Sequence, residues 1–182
     1  MLGGLAAVTA DAPDELTVQS GVLSGPDGDP VLFLSPTWSG ELGEGEKAVD
    51  ALRRLGTPVV SQVAPMAYGD MLGLFDAHVV TGRHYAVRTR SVAACTPDVV
   101  AALVAAGDSR TSPLSGIAIH HFHGAATRVP EDATAFGLRR KHFVVETVAA
   151  WEPDDPDGDA HRAWAWARTR LRAMSDMSNN LS

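Results

Sequence analysis

Three histidines fall within four positions, His120, His121 and His123, in the run SGIAIHHFHG, and a further pair of chemically able side chains, His142 and Glu146, follows in KHFVVETVAAW. Both runs read as strands, on which alternate side chains share a face. His121 and His123 then point one way and His120 the other, while His142 and Glu146 share a face of the next strand. Neutral imidazole nitrogens about 2 Å from an ion, together with a carboxylate, can hold a divalent metal. His121, His123, His142 and Glu146 are therefore one candidate set. The same residues equally suit the lining of a pocket, or hydrogen bonds at a sheet surface. Tyr85, Arg88 and Arg90 form the other polar group. A guanidinium beside a phenol favours phenolate, which can serve as a base; the alternative is a packed tyrosine among solvated arginines.

Elements must position these residues. Residues 15–23 alternate Leu16, Val18, Ser20 and Val22, and after the turn signal GPDGDP residues 31–38 form a second strand, so a hairpin is predicted. Residues 44–55 carry Ala48, Val49, Leu52 and Leu55 on one helical face, and a shorter helix is predicted over 65–75, with Tyr68 as a core aromatic. Residues 84–92 make a strand with a basic face. Thr96, Pro97 and Asp98 open a helix that Gly107 ends. Strands 116–123 and 142–151 flank the loop through Val129 and Arg139, and a helix over 160–174 presents Ala160, Trp164, Ala167, Leu171 and Met174 as its buried stripe. This order does not repeat the βαβ unit. The expected class is α+β, a mostly antiparallel sheet with helices packed on one face, in a single domain over 1–182.

Composition narrows the function. The net charge of −7 argues against a nucleic-acid partner, which needs clustered Lys and Arg. Hydrophobic content of 45% with 20% charged residues is that of a globular protein. The single cysteine, Cys95, excludes an internal disulfide and a CxxC metal site, and it reads as a buried thiol. No GxxxxGK(S/T), GxGxxG or GxSxG order is present, which removes phosphate loops and the nucleophile elbow. No basic residue precedes Lys47, so a secretory n-region is lacking. No run approaches the roughly 18 apolar residues of a membrane span. A cytoplasmic location, with no membrane partner, is the expectation.

Several segments, taken in order, resemble the substrate-binding domain of berberine-bridge-enzyme-like FAD-linked oxidases of the vanillyl-alcohol oxidase superfamily. They are APDELTV from Ala12, GEGEKAVDALRRLG from Gly43, VAPMAY from Val63, GRHY from Gly82 and HGAATRVPEDATAF from His123. The late Trp151, its Pro/Asp loop and the Ala/Trp/Arg helix continue the likeness. His123 stands where a glycine is usual, Leu138 where a histidine often precedes Arg139, and Ala86 where an aromatic is common.

The resemblance implies a sheet that holds a small organic substrate against a flavin while a base removes a proton and a hydride passes to flavin N5. Tyr85, Arg88, His121 and Arg139 would line that pocket, with none assigned as the base. It also implies that the chain is truncated at both ends relative to the family, beginning midway through the domain's first helix. FAD in such enzymes sits in a separate module whose glycine-rich segment has no match here. This chain is therefore expected to bind no FAD alone, and catalysis would need the missing flavin module, either supplied by a separate FAD-binding chain or lost altogether. A sheet face left uncovered by that module is expected to favour homo-oligomers. The alternatives are a stand-alone small-ligand-binding protein descended from the domain, and a metal-dependent enzyme using His121, His123, His142 and Glu146.

Overall fold

A computed structural model describes residues 2–76, 79–155 and 159–175. Among them, five strands form one sheet in the order β2-β1-β4-β5-β3, every neighbouring pair antiparallel. The strands are β1 (Leu16–Ser24), β2 (Pro30–Trp38), β3 (His84–Val92), β4 (Gly116–Phe122) and β5 (His142–Trp151). The helices are α1 (Leu2–Ala10), α2 (Leu42–Arg53), α3 (Tyr68–Leu72), α4 (Pro97–Asp108) and α5 (Asp159–Ser175), with a 3-10 turn over Gly124–Arg128. The class is α+β, as the element order predicts. The β1–β2 hairpin closes through Gly25, whose N–H donates to Asp29 O at 2.8 Å, and through Gly28 at φ +84. That left-handed backbone is open to glycine at little cost.

Register makes the sheet two-sided. One row across it runs Leu34, Ser20, Ile119, Val145 and Arg90, and the adjacent row runs Ser35, Gln19, His120, Val144 and Ser91 on the opposite side. The first side is the core side. Val18, Val22, Ile117, Ile119 and Val145 are buried there with Leu5 of α1, Leu52 of α2, Leu103 of α4 and Trp166 of α5. Each such large side chain contributes about 1.5–3 kcal/mol by leaving water. Two buried hydrogen bonds fix α5: Thr147 Oγ1 donates to Ala167 O at 3.2 Å, and Trp166 Nε1 donates to Ala106 O at 3.0 Å.

Local sequence explains the helix ends. Thr96 Oγ1 accepts from Val99 N–H at 3.3 Å to cap α4, and Pro97 begins it. The Glu41 carboxylate accepts from Gly43 N–H at 2.8 Å to cap α2. Two helix expectations are corrected. The second predicted helix shrinks to Tyr68–Leu72, and Tyr68 is 73% exposed instead of lying in the core. Helix α1 carries no periodic apolar stripe to announce it. In α5 the buried positions are Ala163, Trp166 and Ala167, while Trp164 is on the surface. An Ala- and Trp-rich run is apolar on several faces, so composition alone does not set its phase. Of the rest of that predicted stripe, the side chains of Ala160, Leu171 and Met174 lie outside the described residues.

Candidate functional site

Helices α1, α2, α4 and α5 cover one side of the sheet and leave the other open. At the centre of the open side, β4 presents His120 and β5 presents Glu146. His120 Nε2 lies 3.3 Å from Glu146 Oε2. Both remain reachable, with 42% and 31% of their side chains exposed. The pair is diagonal across the ladder, since Ala118 stands opposite Glu146 and Val144 opposite His120. Around it the same register brings Val144 and Val148 of β5, Val87 of β3 and Gln19 of β1 to this side. It also brings Thr89 and Ser91 of β3, opposite Glu146 and Val144, so the floor mixes valines with hydroxyl and amide side chains around one carboxylate–imidazole pair.

Aromatic side chains border the floor. At the β2 side, Phe33 meets Phe75, from the chain after α3, at 5.7 Å between ring centres. Gly21 permits the close approach, because a Cβ there would lie 2.8 Å from the Phe33 ring and 2.0 Å from Ile117 O. At the β4–β5 end, Phe136 of the long loop packs on Phe122 at 5.4 Å, and Phe122 stacks on His142 at 4.6 Å. His142 is buried beneath them, and its Nδ1–H donates to Arg140 O at 2.7 Å.

The four residues expected to line a pocket do not converge. Tyr85 is on the open side, but its hydroxyl accepts from Val80 N–H at 2.8 Å and donates to Val80 O at 3.0 Å, so it pins a loop. Arg88 turns to the helix side, where its guanidinium lies 4.1 Å from the centre of the Trp164 ring. His121 is also on the helix side, stacked between His123 at 3.9 Å and Phe143 at 5.0 Å. Arg139 lies in the loop, donating to Thr134 Oγ1 and resting 5.0 Å from the Phe136 ring centre. Strand parity accounts for this: Tyr85 and Arg88 are three residues apart and so must face opposite ways.

Parity also overturns the metal reading. Phe143 is the residue opposite His121, so His142 and Glu146 face the open side while His121 and His123 face the helices. Among the described residues, no group of three or more His, Cys, Asp or Glu side chains is placed to hold an ion. The two helix-side histidines have structural surroundings instead. His123 Nε2 donates to Leu16 O at 2.7 Å. Burial, reinforced by the neighbouring His123 and Lys141, pushes the His121 pKa down to about 4. The thiol of Cys95, expected to be buried, is half-buried, and burial pushes its pKa up to about 11, which makes it a poor nucleophile.

A shallow hollow of about 370 Å³ lies elsewhere, bordered by Ser112, Leu114, Trp151, Glu152 and Asp155. Two of its polar side chains are already used. Ser112 donates to Ala150 O and accepts from Leu114 N–H, and Glu152 pairs with Arg83 at 2.8 Å. The His120–Glu146 pair on the open face was missed as a unit by sequence reading, although both residues were noted. The signal needed was the β4–β5 register.

Solved structures share this architecture. The chain superposes on BBE-like 1 from Physcomitrella patens, as a variant, with a TM-score of 0.76 and 14% identity over 97% of its length. BBE-like 28 from Arabidopsis thaliana gives 0.74 and 13% over 97%. The 6-hydroxy-D-nicotine oxidase of Arthrobacter nicotinovorans gives 0.68 and 19% over 94%. The fold is thus that of berberine-bridge-enzyme-like proteins, and the chain spans about 40% of the length of these structures. No family model and no curated protein matches the sequence.

Proposed function

We propose that this chain is the substrate-binding part of an FAD-dependent oxidoreductase that oxidises a small organic molecule, with the flavin carried by a module outside these residues. The observation that supports this reading is the open face itself. Its centre keeps a carboxylate and an imidazole accessible among valine, hydroxyl and amide side chains, with aromatic rings at its borders, on a fold shared with berberine-bridge-enzyme-like proteins. Of the side chains the five strands turn to that face, none is a lysine or arginine. The strands of the face therefore supply no cation for the diphosphate of FAD, which supports placing the dinucleotide outside these residues.

In this reading FAD, bound elsewhere, supplies the two-electron acceptor. The work of these residues is to hold and orient the substrate. Val87, Val144, Val148 and Phe122 hold its apolar body and exclude water, and Glu146, oriented by His120, accepts a proton from it. A glutamate with one oxygen tied to His120 keeps the other for a ligand.

Two measurements test the proposal. Purified chain mixed with FAD should elute without absorbance near 450 nm. Lumiflavin, the ring without phosphates, should shift the amide resonances of His120, Val144 and Glu146 in two-dimensional NMR. Stoichiometric FAD retained by the chain, or lumiflavin shifts confined to the helix side, would refute it.

A further inference from the structure

The sheet repeats itself about its middle. Helix α1, strands β1 and β2 and helix α2 recur in the same order as α4, β4, β5 and α5, and β1 and β4 are antiparallel neighbours at the centre. β2 and β5 are therefore counterparts, yet β5 has β3 on its far side and β2 has no strand there. Burial records the difference. Val145, Thr147 and Ala149, on the helix side of β5, are fully buried, whereas Leu32 and Leu34, on the helix side of β2, are half-buried.

The backbone of β2 is open along the same edge. At both ends of the β1–β2 ladder it is odd residues that bond inward: Ser39 N–H donates to Glu15 O at 2.9 Å, and Gly25 N–H to Asp29 O at 2.8 Å. Alternation along an antiparallel pair then turns Pro30, Leu32, Leu34, Pro36 and Trp38 outward. Proline, which has no N–H, fits only such positions. Among the described residues, no backbone hydrogen bond reaches that outer edge. The two edges of the sheet also differ in how they are guarded. β3 carries Arg88 and Arg90, and Arg88 Nη1 donates to Val87 O at 3.0 Å. β2, PVLFLSPTW, carries no charge. Charged side chains are a common means of keeping an edge strand from pairing with another chain.

We propose that the β2 edge is a dimer interface, and that its occupant is β2 of a second copy, antiparallel about a two-fold axis at Leu34. In that register every outward N–H of the strand meets a carbonyl. Leu34 exchanges bonds with the partner's Leu34, Leu32 donates to the partner's Pro36, and Trp38 donates to the partner's Pro30. The prolines accept where they cannot donate, so neither interrupts the ladder. On the helix side the two Leu34 side chains meet across the axis and cover core that one copy leaves half-buried. On the open side Phe33 meets the partner's Ser35 and Val31 meets the partner's Thr37. No like charges are brought together. The join lies at the edge of the sheet and leaves the open face clear, so it does not rest on the substrate reading of that face.

The test is sedimentation equilibrium of the whole chain across a wide range of concentration, with amide hydrogen exchange at both ends of that range. A reversible monomer–dimer equilibrium is expected, with the Leu32, Leu34 and Trp38 amides slowed in the dimer and the β3 amides unchanged. Leu34→Lys sets two like charges face to face and should weaken association at least about 10-fold. Circular dichroism checks that the variant folds; if it does not, the exchange pattern of the wild-type chain decides. A chain that stays monomeric gives the edge to another polypeptide or to none, and overturns the proposal. So does a dimer whose slowed amides lie on β3 or at open-face positions of β4 and β5, or a folded Leu34→Lys variant that dimerises like the wild type.

Discussion

Acid should unfold this protein through one histidine in particular. His121 is 9% exposed, held between the His123 and Phe143 rings, and its Nδ1 has no hydrogen-bond partner. Its pKa falls from 6.5 to about 4 because burial, then His123 and Lys141, oppose a charge there. The unfolded chain takes up a proton at this residue near pH 6.5, and the folded chain resists until about pH 4. The stability from keeping the ring neutral is therefore complete above pH 6.5 and erodes as the pH falls from there toward 4. The span from 6.5 to about 4 corresponds to at most about 3 kcal/mol, a large part of a typical domain's stability. His121→Phe keeps an aromatic ring in the stack and removes the titration. Urea unfolding at pH 7.5, 6.5, 5.5 and 4.5, followed by tryptophan fluorescence, should show the wild-type midpoint falling steeply with acid and the variant's falling less. Equal losses in both chains would refute the assignment. Asp14, lowered by its hydrogen bond to Arg128, is the other shifted acid-range group near His123, and it is present in both chains.

Two substitutions probe the scaffold on either side of the sheet. Gly21→Ala would drive a Cβ to 2.0 Å from Ile117 O and toward Phe33. Separation of β1 from β4 is expected, with a loss above about 2 kcal/mol in thermal or urea unfolding; a wild-type midpoint would show that the backbone absorbs the change. Trp166→Phe keeps most of the buried ring but removes the indole donor to Ala106 O, which retains the Ser109 hydroxyl at 3.2 Å. It should cost about 0.5–1.5 kcal/mol, and an unchanged midpoint would mean that the α4–α5 bond adds nothing.

The strands were legible because their alternation is clean. Leu16, Val18 and Val22 announce β1, and Ile117 and Ile119 announce β4. Helix α4 was legible through Thr96 and Pro97. What alternation cannot supply is which face of a strand meets the helices and which strands are neighbours. The arginines of β3 read as a polar outer face, yet β3 is an edge strand, and Arg88 stays on the core side by laying its guanidinium over Trp164 of α5. Glu146 was grouped with the wrong histidines for the same reason. Pairing Ala118 with Glu146 rather than shifting by one residue decides that His120 is its companion, and a one-residue slip would exchange every face. Helix α1 was announced by the family resemblance and not by periodicity: Leu2 to Ala10 is apolar nearly all round, with two glycines and no charged residue, so nothing in it oscillates.

On the proposed reading of the open face, the sheet keeps its cohesion and its chemistry on separate sides. Val18, Ile119 and Val145 hold the protein together where no ligand reaches, whereas Val144, Val148 and Gln19 touch little that the core depends on. Drift at the latter positions can therefore proceed with small penalty to folding. A lineage built on this frame is free to exchange one small molecule for another while its interior stays fixed, so close sequence agreement among its members is to be sought in the interior and disagreement on the floor.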